Sequence, residues 1–273
     1  MMCRSLLFVP GDRSDRFDKA LSAGADAVCI DLEDAVAPGK KATARRAVLE
    51  FLGEKKKNIP GLRINNLSTL EGLRDVLAIA ESDVSPAFVM MPKVENATEI
   101  EQLRSVLQQS CPPIWPIIET PSALVQVSDI AKALGEEEVI LFGGVDYATS
   151  LGADMGWDAL YHARATIIAA AASANVQVMD VPFLDIHDIA GMREETCRVK
   201  AMGFSGRACI HPSQIGIINK CFSPSEKEIA DAQRVVEAFE KAKGSATTLD
   251  GKFVDKPVIV AASRLLGFAK HHK

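Results

Sequence analysis

The feature that most constrains the fold of this chain is a repeated alternation of short apolar runs and amphipathic stretches. The first run, SLLFVP, ends at the turn residues Pro10 and Gly11. In the stretch that follows, Phe17, Ala20 and Leu21 recur at helical spacing. The same alternation returns at AVCIDLE, GLRIN, AFVMMPK, PIWPIIE, VILFGG, VQVMDVP and RACIHP. Runs this apolar are typical of parallel strands that helices bury on both faces.

The number of these units decides between two α/β architectures. Eight strand–helix units in 273 residues predict a closed (β/α)8 TIM barrel rather than an open doubly wound sheet. No G-x-G-x-x-G follows the first run, which disfavours a dinucleotide-binding fold. We predict that residues 1–222 form the barrel. Residues 223–273 contain too few strands for a second core, so we predict a C-terminal helix and lid extension of the same structural unit.

Charge and composition exclude several partners. The formal net charge is -5 and there is no long basic face, which argues against nucleic-acid binding. No apolar run reaches the roughly 18 to 20 residues that a membrane span needs. The N-terminus lacks the layout of a signal peptide, and the irregularly spaced cysteines favour reduced thiols. We therefore expect a cytoplasmic protein that meets an anionic substrate with a metal ion or a few local cations.

Two carboxylates stand at the ends of neighbouring apolar runs. Glu119 ends the fifth run, and the sixth runs through Gly143 and Gly144 to Asp146. Strand ends build the active sites of such barrels, and two carboxylates with open positions suit Mg2+. The spacing is equally compatible with Glu119 capping the next helix. Gly144 would let a ligand approach the backbone, although a tight turn explains it as well.

A lone arginine inside an apolar run also needs an explanation. Arg63 lies within GLRIN, and a buried arginine requires an anionic partner. The acids Asp31, Glu33 and Asp34 at the end of the second run can supply it and orient the guanidinium. Its outer face could then bind a substrate carboxylate in bidentate fashion. Lys93, at the end of the fourth run, leaves open a Schiff-base aldolase.

Further polar residues follow other runs without a unique interpretation. Asp180 in the seventh run adds another polar group to the strand ends that we expect to surround the active site. Arg16 and Lys19 could meet phosphates, or they could belong to a solvated helix face. His211 could cap the last barrel helix or contact a ligand.

Taken together, the motifs resemble the citrate lyase beta-subunit-like branch of the HpcH/HpaI aldolase family. The matching segments run from residue 4 to about residue 257 and are RSLLFVPGDRSDRFDKAL, DAVCIDLEDAVAPGKKATAR, LRINN, MMPKVE, PIIETPSAL, LFGGVDYATSLG, GFSGRACIHPSQI and LDGKFVDKP. This resemblance implies a (β/α)8 barrel, assembled as a homotrimer or a dimer of trimers.

The resemblance also implies roles for individual residues. Glu119 and Asp146 fall on the family's Mg2+ ligands, and Arg63 falls on its substrate-carboxylate arginine. We predict that Gly144 also binds the substrate. The family's coenzyme A contacts fall on Phe8, Lys19, Ile210 and His211. Some relatives have a basic residue at the position of Asp15, and in this chain Arg16 or Arg13 would make the phosphate contact instead. Asp255 in GKFVDKP falls on the catalytic aspartate, a lid residue offered to a neighbouring subunit's site.

The implied reaction is retro-Claisen cleavage of a short 3-hydroxyacyl-CoA. The overall pattern resembles bacterial lyases of itaconate degradation, so the expected substrate is (3S)-citramalyl-CoA, giving acetyl-CoA and pyruvate. Three alternatives stay open: a malyl-CoA lyase, a citrate lyase beta subunit acting on a carrier-bound citryl thioester, and a non-catalytic CoA-binding protein.

Overall fold

Eight parallel strands close into a barrel in the order of the sequence. The computed structural model describes residues 3–54, 58–108 and 111–271. The barrel strands are β1 Ser5–Pro10, β2 Ala27–Asp31, β3 Gly61–Arg63, β4 Val89–Met91, β5 Ile114–Ile118, β6 Val139–Phe142, β7 Gln177–Asp180 and β8 Gly206–Cys209. Closure is direct, because Leu6 of β1 lies opposite both Ala27 of β2 and Ala208 of β8. The predicted (β/α)8 barrel is confirmed.

Helices follow the strands and cover the barrel. They are α1 Phe17–Leu21, α2 Lys41–Gly53, α3 Leu70–Ala80, α4 Ala97–Leu107, α5 Pro121–Lys132, α6 Gly144–Leu151, α7 Trp157–Ala174, α8 Ile189–Met202 and α9 Ile215–Phe222. Side-chain caps fix where several of them begin. Thr69, Asn96 and Thr120 each accept a hydrogen bond from the backbone N–H three residues later. Thr120 therefore caps α5, which rejects the alternative that Glu119 does so.

The barrel interior is filled by apolar side chains from most of its strands. Leu6, Met90, Ile117 and Met179 are each almost completely buried there. Phe88 stacks on Trp115 with ring centroids 3.8 Å apart and planes within 5°. A β-carbon at Gly61 would lie 2.2 Å from the Phe88 ring, so glycine makes room for this stacked pair. The interior is a packed core, and open space begins only above it.

The chain divides into two compact units, and the second begins at Lys220. It contains α10 Glu226–Lys241, the antiparallel strands β9 Thr247–Leu249 and β10 Lys252–Val254, and α11 Lys256–His271. Ser225 caps α10 reciprocally with Glu228. Asp250 and Gly251 join the two strands with φ angles of 52° and 76°, as a two-residue hairpin turn requires. The predicted C-terminal extension, residues 223–273, lies within this unit.

Two further expectations concern membrane spans and cysteines. Within the described ranges, no helix combines the length and apolar character that crossing a bilayer would need. All six cysteines lie in those ranges and are free thiols. Cys3, Cys29 and Cys209 are buried in the barrel, and burial raises the pKa of the Cys209 thiol to about 12.

Candidate active site

A cavity of about 440 Å³ opens at the carboxyl ends of the barrel strands. Its lining residues are Phe8, Val9, Pro10, Asp31, Asp34, Ala35, Arg63, Ile117, Glu119, Leu141, Phe142, Gly143, Val145, Asp146, Val181, Pro182, Leu184 and Ile210. The side contributed by β2, β3, β5 and α6 carries the charged groups, whereas β6, β7, β8 and β1 contribute mainly apolar groups. The cavity therefore has one polar half and one apolar half.

The two predicted carboxylate ligands lie together in the polar half. Glu119 follows β5 directly and is 2% exposed, and Asp146 occupies the first turn of α6. The structure corrects one boundary here, because β6 ends at Phe142 and Asp146 lies on a helix rather than a strand. A β-carbon at Gly143 would lie 2.6 Å from Glu119 Oε2. Residue 143 must therefore be glycine for the Glu119 carboxylate to fit.

The electrostatics of Glu119 favour a bound cation. Burial raises the pKa of Glu119 to about 8, and the negative charges of Glu33 and Asp146 add to this shift. A hydrogen bond from the Lys93 backbone N–H to Glu119 Oε1, 2.6 Å long, opposes it. Two nearby carboxylates that destabilise each other's charge form a fitting donor pair for a divalent ion.

The composition of this pair fits Mg2+ in particular. In the described part of the chain, no group of three or more His, Cys, Asp and Glu side chains is placed to hold a metal ion. Mg2+ does not need such a cage, since it is commonly bound by one or two carboxylates and keeps water or substrate oxygens as its other ligands. Glu119 and Asp146 can hold it in that way.

Arg63 is fixed at the edge of the same cavity by the second strand. Its Nε and Nη2 atoms donate to the two carboxylate oxygens of Asp31 at 2.7 and 2.5 Å. Its Cζ atom lies 5.1 Å from the centre of the Phe8 ring. Burial lowers the pKa of Arg63, but the paired Asp31 outweighs this and the net shift is upward. The guanidinium is thus permanently charged and held in one orientation.

Lys93 lies behind these groups rather than in the cavity lining. Its Nζ atom is 2.7 Å from Glu33 Oε1. Partial burial lowers the pKa of Lys93, but the hydrogen bond to Glu33 raises it above its ordinary value overall. A Schiff-base lysine must present a neutral amine, so this arrangement argues against the aldolase alternative.

The structure corrects the predicted role of Asp180. This side chain is fully buried and pairs with Arg164 of α7 at 3.0 Å instead of facing the cavity. Arg207 of β8 lies 3.5 Å from the same carboxylate and 2.5 Å from Glu195. These four residues form a buried ionic network between the barrel and its helices. The next residue in the chain, Val181, lines the cavity in place of Asp180.

The apolar half of the cavity was not predicted from the sequence. The segment after β7 contributes Val181, Pro182 and Leu184 to it and is held from behind. Arg207 Nε donates to the Val181 carbonyl oxygen at 2.9 Å, and Gln214 Nε2 donates to that of Phe183 at 2.7 Å. The one available signal was Arg207 itself, a charged residue inside an apolar run, as at Arg63.

The predicted coenzyme A contacts divide into two groups. Phe8 and Ile210 line the cavity, together with Asp31 and Asp34 of the predicted supporting acids. Arg16, Lys19 and His211 are exposed and outside the lining. The ring of His211 accepts a hydrogen bond from the Ser213 N–H and so caps the short 3-10 helix Pro212–Gln214. All five residues stay predictions as coenzyme A contacts.

Gly144 and Asp255 also stay predictions. Gly144 is buried at the start of α6 and is not among the lining residues, and a β-carbon there would lie 3.1 Å from Val181 Cγ1. Asp255 belongs to the C-terminal unit, between β10 and α11. Its Oδ1 accepts a hydrogen bond from the Val258 N–H at 3.4 Å. The carboxylate thus stands at the start of α11.

Comparison with known proteins identifies the family. The sequence profile described as HpcH/HpaI aldolase/citrate lyase matches residues 4–212. A citrate lyase subunit beta-like protein of Mycobacterium tuberculosis is 35% identical over 269 residues, which cover 95% of this chain and 93% of that protein. The mitochondrial citramalyl-CoA lyase of Homo sapiens is 29% identical over 97% of this chain and 85% of that protein.

A solved structure supports the same family assignment. CitE of Mycobacterium tuberculosis, in complex with magnesium, acetoacetate and coenzyme A, superposes with a TM-score of 0.84 at 33% identity over 98% of each chain. These matches confirm the resemblance that the sequence motifs carry. The chain therefore belongs to the HpcH/HpaI aldolase/citrate lyase family and is a carbon–carbon lyase.

Proposed function

We propose that this protein is a Mg2+-dependent lyase that cleaves (3S)-citramalyl-CoA into acetyl-CoA and pyruvate by retro-Claisen chemistry. One observation carries the proposal: the carboxylates of Glu119 and Asp146 share a cavity with the immobilised guanidinium of Arg63. The names of relatives that act on CoA thioesters support it. From the family resemblance we add that the enzyme is a cytoplasmic homotrimer, or a dimer of trimers, that serves itaconate degradation.

Glu119 and Asp146 would hold the ion next to the hydroxyl and carboxylate of the substrate. When bound, Mg2+ supplies Lewis acidity to those oxygens and fixes their orientation. Burial and the neighbouring acids raise the pKa of Glu119, and a bound cation would oppose that shift. Glu119 would therefore be ionised when the site is loaded.

Arg63 would bind the substrate carboxylate that becomes the carboxylate of pyruvate. Asp31 occupies Nε and Nη2, whereas the 3.1 Å contact between Nη1 and Glu33 Oε2 is not a hydrogen bond. Nη1 therefore keeps N–H donors for an anion. Because Arg63 and the two metal ligands come from different elements around the cavity, the carboxylate and the hydroxyl of one small molecule can be held at the same time.

Asp255 would supply the proton that the departing carbon needs. Breaking the bond between C2 and C3 turns the hydroxyl carbon into the keto group and leaves its electron pair on the acetyl-CoA enolate. The hydroxyl proton would pass to solvent, and Asp255 would give a proton to the enolate carbon and regain one from solvent, so that acetyl-CoA and pyruvate result. The C-terminal unit of the same chain or of a neighbouring subunit would bring this residue.

The apolar half of the cavity supports the choice of acyl group. The hydroxyl carbon carries hydrogen in malyl-CoA, methyl in citramalyl-CoA and a carboxymethyl group in a citryl thioester. Among the lining residues, Arg63 is the only cation, and Asp31 already pairs with it. The second carboxylate of a citryl thioester would thus face Val181, Leu184 and Ile210 without a counter-charge, at a high desolvation cost. A methyl group suits that surface.

The test is keto-acid release by purified protein. (3S)-Citramalyl-CoA, malyl-CoA and citryl-CoA would be offered in parallel, each with Mg2+ and with EDTA. We expect Mg2+-dependent pyruvate release with a preference of roughly 10- to 200-fold over malyl-CoA, the range that one methyl group provides in an apolar pocket. A preference for malyl-CoA would overturn the substrate assignment. Failure to cleave any of the three would overturn the proposed cleavage of a free CoA ester, in favour of a carrier-bound substrate or a CoA-binding role.

A further inference from the structure

Lys93 has a backbone conformation that its position in the fold does not require. It follows strand β4 with a φ angle of 52°, in the left-handed region that residues with a β-carbon avoid. Four other described residues share this feature: Gln108, Asn175, Lys243 and Asp250. Those four lie at or just beyond helix ends, or in the β9–β10 turn, where left-handed residues are common. Strain beside a polar cavity points to a function at Lys93.

The strained backbone directs a main-chain donor at Glu119. The Lys93 N–H donates to Glu119 Oε1 at 2.6 Å. This bond occupies one carboxylate oxygen from behind. It leaves Oε2, the oxygen next to Gly143, for another ligand. The bond therefore fixes the rotation of the carboxylate without occupying both oxygens.

The side chain of the same residue acts on the substrate-binding arginine. Lys93 Nζ lies 2.7 Å from Glu33 Oε1, and Glu33 Oε2 lies 3.1 Å from Arg63 Nη1. Glu33 is a buried carboxylate between two cations. Without the Lys93 ammonium group, the negative charge of Glu33 would be neutralised by Arg63 alone. The attraction of Arg63 for a substrate anion would then be weaker.

We infer that Lys93 is a positioning residue that sets the Glu119 carboxylate through its backbone and tunes Arg63 through Glu33. Lys93 thereby acts on both the metal-binding and the carboxylate-binding parts of the cavity. The inference rests on the roles proposed above for Glu119 and Arg63. It differs from the Schiff-base alternative because the lysine never contacts the reacting atoms.

Three substitutions separate the two contributions. Lys93→Gly keeps the left-handed backbone but removes the ammonium group. Lys93→Val removes the ammonium group and also disfavours the backbone conformation, since a β-branched residue is an outlier at positive φ. Lys93→Arg keeps both. Each protein is titrated calorimetrically with Mg2+, and then, in saturating Mg2+, with pyruvate.

We expect Lys93→Gly to bind Mg2+ no more weakly than the parent but to bind pyruvate at least about 10-fold more weakly. Lys93→Val should also lose about 10-fold or more in Mg2+ affinity, the range typical of groups that orient metal ligands. Lys93→Arg should bind both ligands as the parent does.

Lys243 provides the matched control, because it is also a lysine at positive φ, with a φ of 51°, and lies in the C-terminal unit. Lys243→Gly and Lys243→Val should reproduce any general effect on thermal unfolding and leave both binding constants unchanged. Equal Mg2+ affinities for Lys93→Gly and Lys93→Val would overturn the backbone part of the inference. An unchanged pyruvate affinity in Lys93→Gly would overturn the side-chain part. A parent that binds both ligands but cleaves no CoA ester would refute the proposed function alone, whereas a parent that binds no Mg2+ would refute both.

Discussion

Arg207 donates from Nε to the carbonyl oxygen of Val181 at 2.9 Å, so a cation buried outside the cavity fixes part of its apolar half. The cation is itself held by Glu195 and Asp180. This contact links the stability of the barrel to the shape of the surface that would receive the acyl substituent.

Arg207→Leu should destabilise the protein by about 3 to 5 kcal/mol, because it leaves Asp180 and Glu195 facing one remaining cation inside the protein. Denaturant unfolding would measure this loss. Arg74→Leu serves as control, since Arg74 is 57% exposed and pairs with Glu71 on the same helix; its effect should stay below about 1 kcal/mol. Similar values for the two variants would contradict an energetically important network.

Gly143→Ala should weaken Mg2+ binding by about 10-fold or more, because the new methyl group would overlap Glu119 Oε2 and displace the carboxylate. Calorimetric titration with Mg2+ checks this. Gly216→Ala is the matched control, as nothing lies within 4 Å of the position its β-carbon would occupy. Unchanged Mg2+ affinity in Gly143→Ala would show that Glu119 is not a ligand of the ion.

Mg2+ affinity should rise with pH up to about 8 and then level off. Burial and the neighbouring acids raise the pKa of Glu119 to about 8, so below that pH the metal-free carboxyl group holds a proton that Mg2+ must displace. Near pH 7, about one proton should be released for each ion bound. Titrations in buffers of different ionisation enthalpy count the protons. Affinity that does not change between about pH 6 and 8 would remove this assignment.

Asp255→Asn should reduce turnover by about 10²-fold or more while Mg2+ binding stays intact, because the amide cannot donate an acidic proton. Asparagine keeps an oxygen that can accept the Val258 N–H at the start of α11. Asp255→Ala loses this contact as well, so a difference in thermal unfolding between the two variants isolates the capping contribution. Full activity in Asp255→Asn would reject the acid role.

Periodicity was sufficient to predict the barrel, because eight buried strands and their helices leave a local mark in the sequence. The pairing of Arg63 with acids at the end of β2 was also within reach, since neighbouring parallel strands bring such groups together. Asp180 was misplaced because both faces of β7 are buried. The apolar residues around Asp180 do not show which face meets the helices.

Two other features could not be predicted from the sequence. The partners of Arg207 come from β7 and α8, and only the three-dimensional structure brings them together. The left-handed backbone of Lys93 is invisible in the sequence, because lysine, unlike glycine or asparagine, gives no indication of positive φ.

The direct pairing of β1 with β8 has a consequence for how the protein matures on the ribosome. Phe8 and Ile210 border the same cavity although some two hundred residues separate them in the chain. A nascent polypeptide that has not yet released its eighth strand can contain Glu119, Asp146 and Arg63 but not the wall opposite them. A complete cavity is therefore available only after β8 has been synthesised and has paired with β1.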